Sequence, residues 1–306
     1  MKNLLLSSSL FGGLALSAFA GAPAVITAPA PDAFANAITP ISNPTLAGLA
    51  LPRTNIHAIY MNQQMPDNIN ITGGSVPLGG DINVVAVQLE YAFTNRLSLI
   101  ATKDGYVDFN PDTTLPESNG FANIAAGLKY AFIYDEASQF VLSGSAVIEA
   151  PTGNSDVFQG EGKGAANLIV SALKLHNSWQ FSGAAGLQLP FDSDASSTSS
   201  FISAHASYRV TERFTPLVEL NWFHVLDTGD GTSTDISGIT EFEGGDLLNL
   251  GANNASTNRD IVTLAAGARY KLTNAVSLGA AYEIPLTNDE NNLMKSRITA
   301  DLVWTF

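Results

Sequence analysis

No cysteine occurs among the 306 residues, which excludes disulfides, thiolate catalysis and cysteine-ligated metals. Charge is also scarce. Asp, Glu, Lys and Arg make up 14% of the chain, against about 25% in an ordinary soluble domain. Positive charge is scarcer still, with 14 Lys and Arg against 28 Asp and Glu, so the chain lacks the electrostatic footing for nucleic acid. Past residue 20, no apolar run approaches the roughly 20 residues that a membrane-spanning helix needs. No segment shows a convincing 3.6-residue period. The motifs H-E-x-x-H and G-x-S-x-G and the phosphate-binding loop are missing, and no cofactor or metal is expected.

What the chain does have is alternation. In SRITADLVWTF (296–306), Ile298, Ala300, Leu302, Trp304 and Phe306 share one side. Arg297, Thr299, Asp301 and Thr305 share the other, where only Val303 is apolar. Period-two patterning of this kind is a strand with one apolar and one wet face. Soluble domains seldom end on such a strand, because termini fray in polar residues.

The start of the chain points the same way. MKNLLLSSSLFGGLALSAFA (1–20) has one Lys, an apolar run and a small-x-small site at Ala18–Ala20, so it reads as a secretory signal cleaved after Ala20. Loss of Lys2 leaves 13 basic and 28 acidic residues, a formal charge of −15 for the exported protein. Residues 21–53 are rich in Ala and Pro and read as a periplasmic linker without a core of its own; entry into a barrel as a small plug is the alternative.

From residue 54 onward, twelve strands are predicted. They lie near 54–62, 82–93, 96–104, 121–133, 139–149, 165–175, 179–189, 200–210, 214–225, 260–271, 275–285 and 296–306. Their connections sort by length: those at 94–95, 135–138, 176–178, 211–213 and 273 are short, and long stretches lie between them, the longest at 226–259. Short turns at one end and long loops at the other predict an all-β, antiparallel, up-and-down transmembrane β-barrel with periplasmic turns and extracellular loops. The setting is the outer membrane of a Gram-negative-type envelope.

The aromatics test this expectation. Tyr91, Phe93, Tyr130, Phe132, Phe140, Trp179, Phe181, Tyr208, Phe214, Tyr270, Trp304 and Phe306 share the outward parity and stand beside short turns or the terminus. They predict an aromatic girdle at the periplasmic interface. The opposite parity carries the charges. Gln88, Glu90, Lys129, Glu149, Lys174, His205, Arg209, Glu219, Arg269, Glu283, Arg297 and Asp301 are assigned to the lumen, because a midplane Lys or Arg facing lipid costs about 2–4 kcal/mol. Two readings stay open for them: a narrow wet passage, or pairing across the lumen that closes it.

The loop at 226–259 is acidic, with Asp227, Asp230, Asp235, Glu241, Glu243 and Asp246. Solvated loops are the main expectation; concentration of cations, or Ca²⁺ bridging to lipopolysaccharide, is the sharper one. The Asp227–Asp235 spacing is not that of an EF-hand. Catalytic readings find little. His205 shares a face with Ser203 and Ser207, a pairing that polar strands produce by chance. His224 lies on the outward parity beside Trp222, but the residue two further on, where an outer-membrane phospholipase carries its nucleophilic Ser, is Leu226. No enzymatic activity is expected.

Several stretches together carry a family resemblance: TNRLSLIATKDGY (94–106), GLKYAF (127–132), EAPTGN (149–154), TPLVELNW (215–222), FEGGDLLNLGA (242–252) and GARYKLTNAVSLGAAYEIPLT (267–287). With the terminal strand, they resemble the outer-membrane barrels grouped as transporters of the meta-pathway of phenol degradation. The resemblance implies passage of a hydrophobic or small aromatic solute and carries over no site residue. The terminal aromatic also resembles the signal read by the barrel-insertion machinery. The expected function is a narrow channel for small solutes, with lipid and lipopolysaccharide as surroundings; a closed barrel displaying acidic loops is the alternative.

Overall fold

The computed structural model describes residues 32–306, so the signal-peptide reading of residues 1–20 and the start of the predicted linker lie outside the described residues. The strands are β1 (Asn55–Gln64), β2 (Asn68–Ile71), β3 (Gly74–Pro77), β4 (Asp81–Ala92), β5 (Leu97–Lys103), β6 (Tyr106–Asn110), β7 (Ser118–Phe121), β8 (Ile124–Asp135), β9 (Phe140–Ala150), β10 (Ala165–His176), β11 (Trp179–Pro190), β12 (Thr198–Tyr208), β13 (Phe214–Asp227), β14 (Asp260–Lys271), β15 (Val276–Pro285) and β16 (Ser296–Thr305). β2 and β3 form a separate hairpin in the first long loop. The rest make a closed antiparallel barrel of twelve rungs, as predicted. Two rungs come in pieces: β5 and β6 both pair with β4, and β7 runs on toward β8.

The last strand closes the barrel. β1 pairs with β16 from Asn55↔Thr305 to Gln64↔Ser296, and with β4 from Asn55↔Glu90 to Gln64↔Asp81. No edge is left for lipid to face, which is the condition for a strand structure in a bilayer. The alternation read from sequence becomes a wall with two faces. Outward side chains such as Val85, Leu89, Leu128, Ile148, Val170 and Ile298 are exposed. Their inward neighbours are buried or partly buried.

The girdle residues all take the outward parity, and every one is exposed except Phe140, which is partly covered. They also contact one another: Trp179 stacks on Phe181 at 5.8 Å, and Trp304 meets Phe306 at 4.7 Å. Eight residues up β4 from Tyr91, the outer face turns polar at Asn83, which accepts a hydrogen bond from Tyr60 Oη at 2.9 Å. At about 3.3 Å per residue and a tilt near 40°, the apolar band between is about 20 Å tall, near the 25 Å of membrane barrels.

The break between β5 and β6 has a backbone cause. Gly105 sits at φ +125°, and a Cβ there would lie 2.8 Å from the carbonyl oxygen of Val85 on the neighbouring strand. Asp104 beside it accepts the Val87 N–H at 3.0 Å, replacing a ladder bond. Gly105→Ala is expected to destabilise the wall by about 1–3 kcal/mol. Its unfolding midpoint, read as heat-modifiable gel migration, should fall; an unchanged midpoint would show that the bend relaxes freely.

Candidate functional site: the filled lumen

The linker expectation needs correction. Residues 33–53 lie inside the barrel, not beside it. Phe34, Ile41, Leu46, Leu49 and Leu51 are each at most 7% exposed. The reason was in the sequence: a linker rich in large apolar residues would expose them all. Phe34 packs on Leu173 and Leu175 and meets the Tyr134 ring at 5.3 Å. Leu46 sits against Ile169, Phe201 and Phe223. The segment enters at the short-turn end, where Gln139 donates to the Ala33 carbonyl at 2.7 Å. It rises to mid-lumen at Ser42 and returns to the same end at Arg53.

A buried segment with no helix or ladder must find other partners for its backbone. The inward side chains supply them. Glu219 accepts the N–H groups of Ile41 at 2.9 Å and Ser42 at 2.6 Å. Arg297 Nη2 donates to the Ser42 carbonyl at 2.6 Å, Arg269 to Thr39 at 3.0 Å and Lys129 to Leu49 at 2.8 Å. Gln180 both accepts from Ile38 N–H and donates to its carbonyl, each at 2.8 Å. Gln88 donates to Pro44 at 3.1 Å, and Ser143 donates to Ala50. Ser143 and Gln180 were not singled out from sequence. Their signal was an inward polar residue with no opposed charge on a neighbouring strand.

The charges also pair among themselves. Lys129 meets Glu90 at 3.0 Å, Lys103 meets Glu149 at 2.6 Å, and Arg269 meets Asp301 at 2.7 Å. His57 shares Asp301, at 2.7 Å. Arg297, fully buried, is the densest node. It binds Glu283 at 2.7 Å, Asp246 at 3.0 Å and the plug at Ser42. Asn221 ties Glu283 back to the Ser42 hydroxyl through two 3.0 Å bonds. Of the two readings left open, the structure holds pairing of the inward charges, but between strands that are adjacent or next but one in the wall rather than across the lumen, which the plug fills.

His205 Nδ1 lies 2.7 Å from Glu219 and its Nε2 lies 3.0 Å from Ser207 Oγ. Ser207, His205 and Glu219 thus stand in series, but Ser207 is 2% exposed and Glu219 is occupied by the plug. The series orients the carboxylate toward Ile41 and Ser42.

Lys174 was assigned wrongly to the lumen. On β10 the buried inward residues are Asn167, Ile169, Ser171, Leu173 and Leu175, so Lys174 takes the outward parity, paired across to Phe140 and Phe181. Its ammonium reaches the Ser138 carbonyl in the short turn. At the headgroup level a lysine snorkels cheaply, and the inward places beside it go to leucines that pack the plug. Arg209 does face inward, at the short-turn rim, where it is half-buried.

The acidic loop is not wholly solvated either. Residues 228–259 fold over the long-loop mouth and bring Phe242, Leu248 and Leu250 onto Met61, Ile82 and Phe109. Asp246 goes down to Arg297. Glu243 accepts from Ser197 Oγ and from the N–H groups of Leu250 and Ala252, at 2.6, 2.6 and 2.8 Å. Burial pushes its carboxyl above the usual range, against the pull of those donors. Asp227, Asp230 and Asp235 remain exposed. His224 Nδ1 and Trp222 Nε1 both lie 2.7 Å from Asp260 Oδ1 on the outer face, with Leu226 beyond.

Among the cavities left around the plug, two share part of their lining. One of about 140 Å³ reaches the short-turn rim; one of about 50 Å³ lies under the loop cap and is lined by Ile59, Met61, Val84, Val107 and Phe109. Pro44, Thr45, Gln88 and Thr102 line both, so the plug's upper turn and the wall side chain of Gln88, which donates to Pro44 and Thr102, stand between them.

A closed twelve-rung antiparallel barrel with an apolar outer belt and a polar lumen is the architecture of an outer-membrane β-barrel. Residues 73–297 match the family described as "Putative MetA-pathway of phenol degradation", and the chain belongs to that family. Its fold is similar to that of the COG4313 outer membrane channel from Pseudomonas putida F1, at 16% identity and a TM-score of 0.61, covering 88% of this chain and all of that one. It is also similar to the NanC porin, at 8% identity and a TM-score of 0.50, covering 83% and 100%. A search of curated proteins gave no match.

Proposed function

We propose that the protein is a gated channel of the outer membrane for small, largely apolar solutes, exported by its signal and seated with its short turns in the periplasm. The observation that supports this reading is the plug. It is held in the lumen by hydrogen bonds from wall side chains, with no strand or helix of its own, and stands between an apolar chamber under the loops and a larger vestibule below. Withdrawal of one turn at Ser42–Thr45 joins the two. The charges assigned to the lumen from the sequence are then latch residues. They hold the plug when it is seated and face the passage when it leaves. Apolar solute is favoured by the upper chamber, where Lys103, Asp104 and the Arg297-paired Asp246 are the charges and apolar side chains such as Ile59, Met61, Val84, Val107 and Phe109 form most of the wall.

The absence of cysteine makes the test clean. Ser42→Cys and Asn221→Cys, joined by a short reducible cross-linker, fix the plug to the wall at its upper turn. The cross-linked barrel is expected to be silent in a planar bilayer and to exclude phenol from proteoliposomes, with both recovering on reduction. Passage that persists with the plug fixed would sink the proposal.

A further inference from the structure

The larger cavity has a chemical character that the gating account does not use. Its apolar surface comes from Leu49, Leu51, Ile100, Ile169 and Val276. Its charged lining is strongly one-sided for so acidic a protein. Three of its cations are already engaged: Lys129 with Glu90, Arg269 with Asp301, and Arg53 with the Phe34 carbonyl. His57 is held by Asp301. Arg209, Arg213 and Lys271 have no ion-pair partner among the described residues, and the acid that lines the cavity beside them is the exposed rim residue Glu212. Arg209 and Lys271 are half-buried, and the nearest acceptor to the Lys271 ammonium is the Ala35 carbonyl at 3.5 Å. Arg269, 2% exposed, forms part of the same wall and keeps its Nε–H without an acceptor.

Uncompensated cations are costly to hold in a partly closed site, because each lacks the partner that would offset its lost hydration. A ligand that supplies the missing negative charge recovers that cost. Size sets the second condition. At about 140 Å³ the cavity is close to the ~150 Å³ apolar cavity known to take up benzene. The geometry points to a small organic monoanion with a ring-sized apolar body, of the aromatic carboxylate class, bound with its carboxylate between Arg209 and Lys271 and its ring against Leu49, Leu51 and Ile100. Plug residues make up a large share of the lining, so the site exists only while the plug is seated. It does not depend on what passes through the barrel.

Benzoate is the probe, titrated by calorimetry into the full-length exported barrel in detergent, with folding checked by heat-modifiable migration. The expected result is saturable binding. It should weaken at least tenfold in Arg209→Gln/Lys271→Gln and stay within twofold in Lys174→Gln, which removes one charge from the same rim on the other side of the wall. Benzyl alcohol, the uncharged analogue, should fail to displace benzoate from the unaltered protein, a readout that needs no variant. If the double variant does not fold, Arg209→Gln alone should still weaken binding several-fold. No saturable binding, equal displacement by benzyl alcohol, or equal loss in Lys174→Gln would each overturn the assignment.

Discussion

Glu219→Ala is expected to convert a mostly closed barrel into one that opens often. Glu219 is 3% exposed and takes two plug N–H groups and one imidazole nitrogen. Alanine leaves the Ile41 and Ser42 N–H groups without an acceptor, at about 1–3 kcal/mol each. The seated state then loses on the order of 3 kcal/mol. At 1.4 kcal/mol per factor of ten, the unseated population rises roughly a hundredfold. The wall is spared, because Glu219 is not part of the strand ladder. Single-channel recording should therefore show more frequent openings of the same conductance, while gel migration still reports a folded barrel. Unchanged open probability would mean that the plug is held elsewhere.

Arg297→Met should have the larger effect and a different signature. One guanidinium binds the wall at Glu283, the plug at Ser42 and the loop cap at Asp246. Methionine keeps much of the volume but leaves two buried carboxylates without their cation. Breaking a buried pair by removing one partner costs about 3–5 kcal/mol. Both inward and outward closures depend on this residue, so both should loosen in one variant. Limited proteolysis within 228–259 should speed up in the same preparation that shows raised open probability. A change in only one of the two would show that the cap and the plug are independent.

The wall was legible in the sequence, and the reason is geometric. A strand that separates lipid from water must alternate, and loops that sort by length must join strands that run up and down. Trp304 and Arg297 therefore announce their faces without any knowledge of partners. Lys174 failed because that rule weakens within one turn of the interface, where a long side chain reaches water from either face. The pairing inside the lumen was not legible, since alternation says which side a residue faces and nothing about what stands opposite. The plug was misread for a related reason. Its residues have no period because it has no regular structure, and composition alone makes Ala and Pro look like a spacer. The clue in retrospect was the recurrence of Phe34, Ile38, Ile41, Leu46, Leu49 and Leu51 through it.

The path of the plug bears on how the protein is built. Ala33 lies at the Gln139 turn and Arg53 runs into β1 at the same rim, so the segment enters and leaves by one mouth. A chain laid in this way is not threaded. The seam between β1 and β16 can zip first, as an empty ring, and the segment can tuck in afterwards as a loop. Residues 33–53 can also be drawn out again by the mouth through which they enter. A pull on residues near 33 from below would peel the contacts one by one, starting with Phe34. The same barrel could thus be finished, emptied and refilled without ever breaking a strand pair.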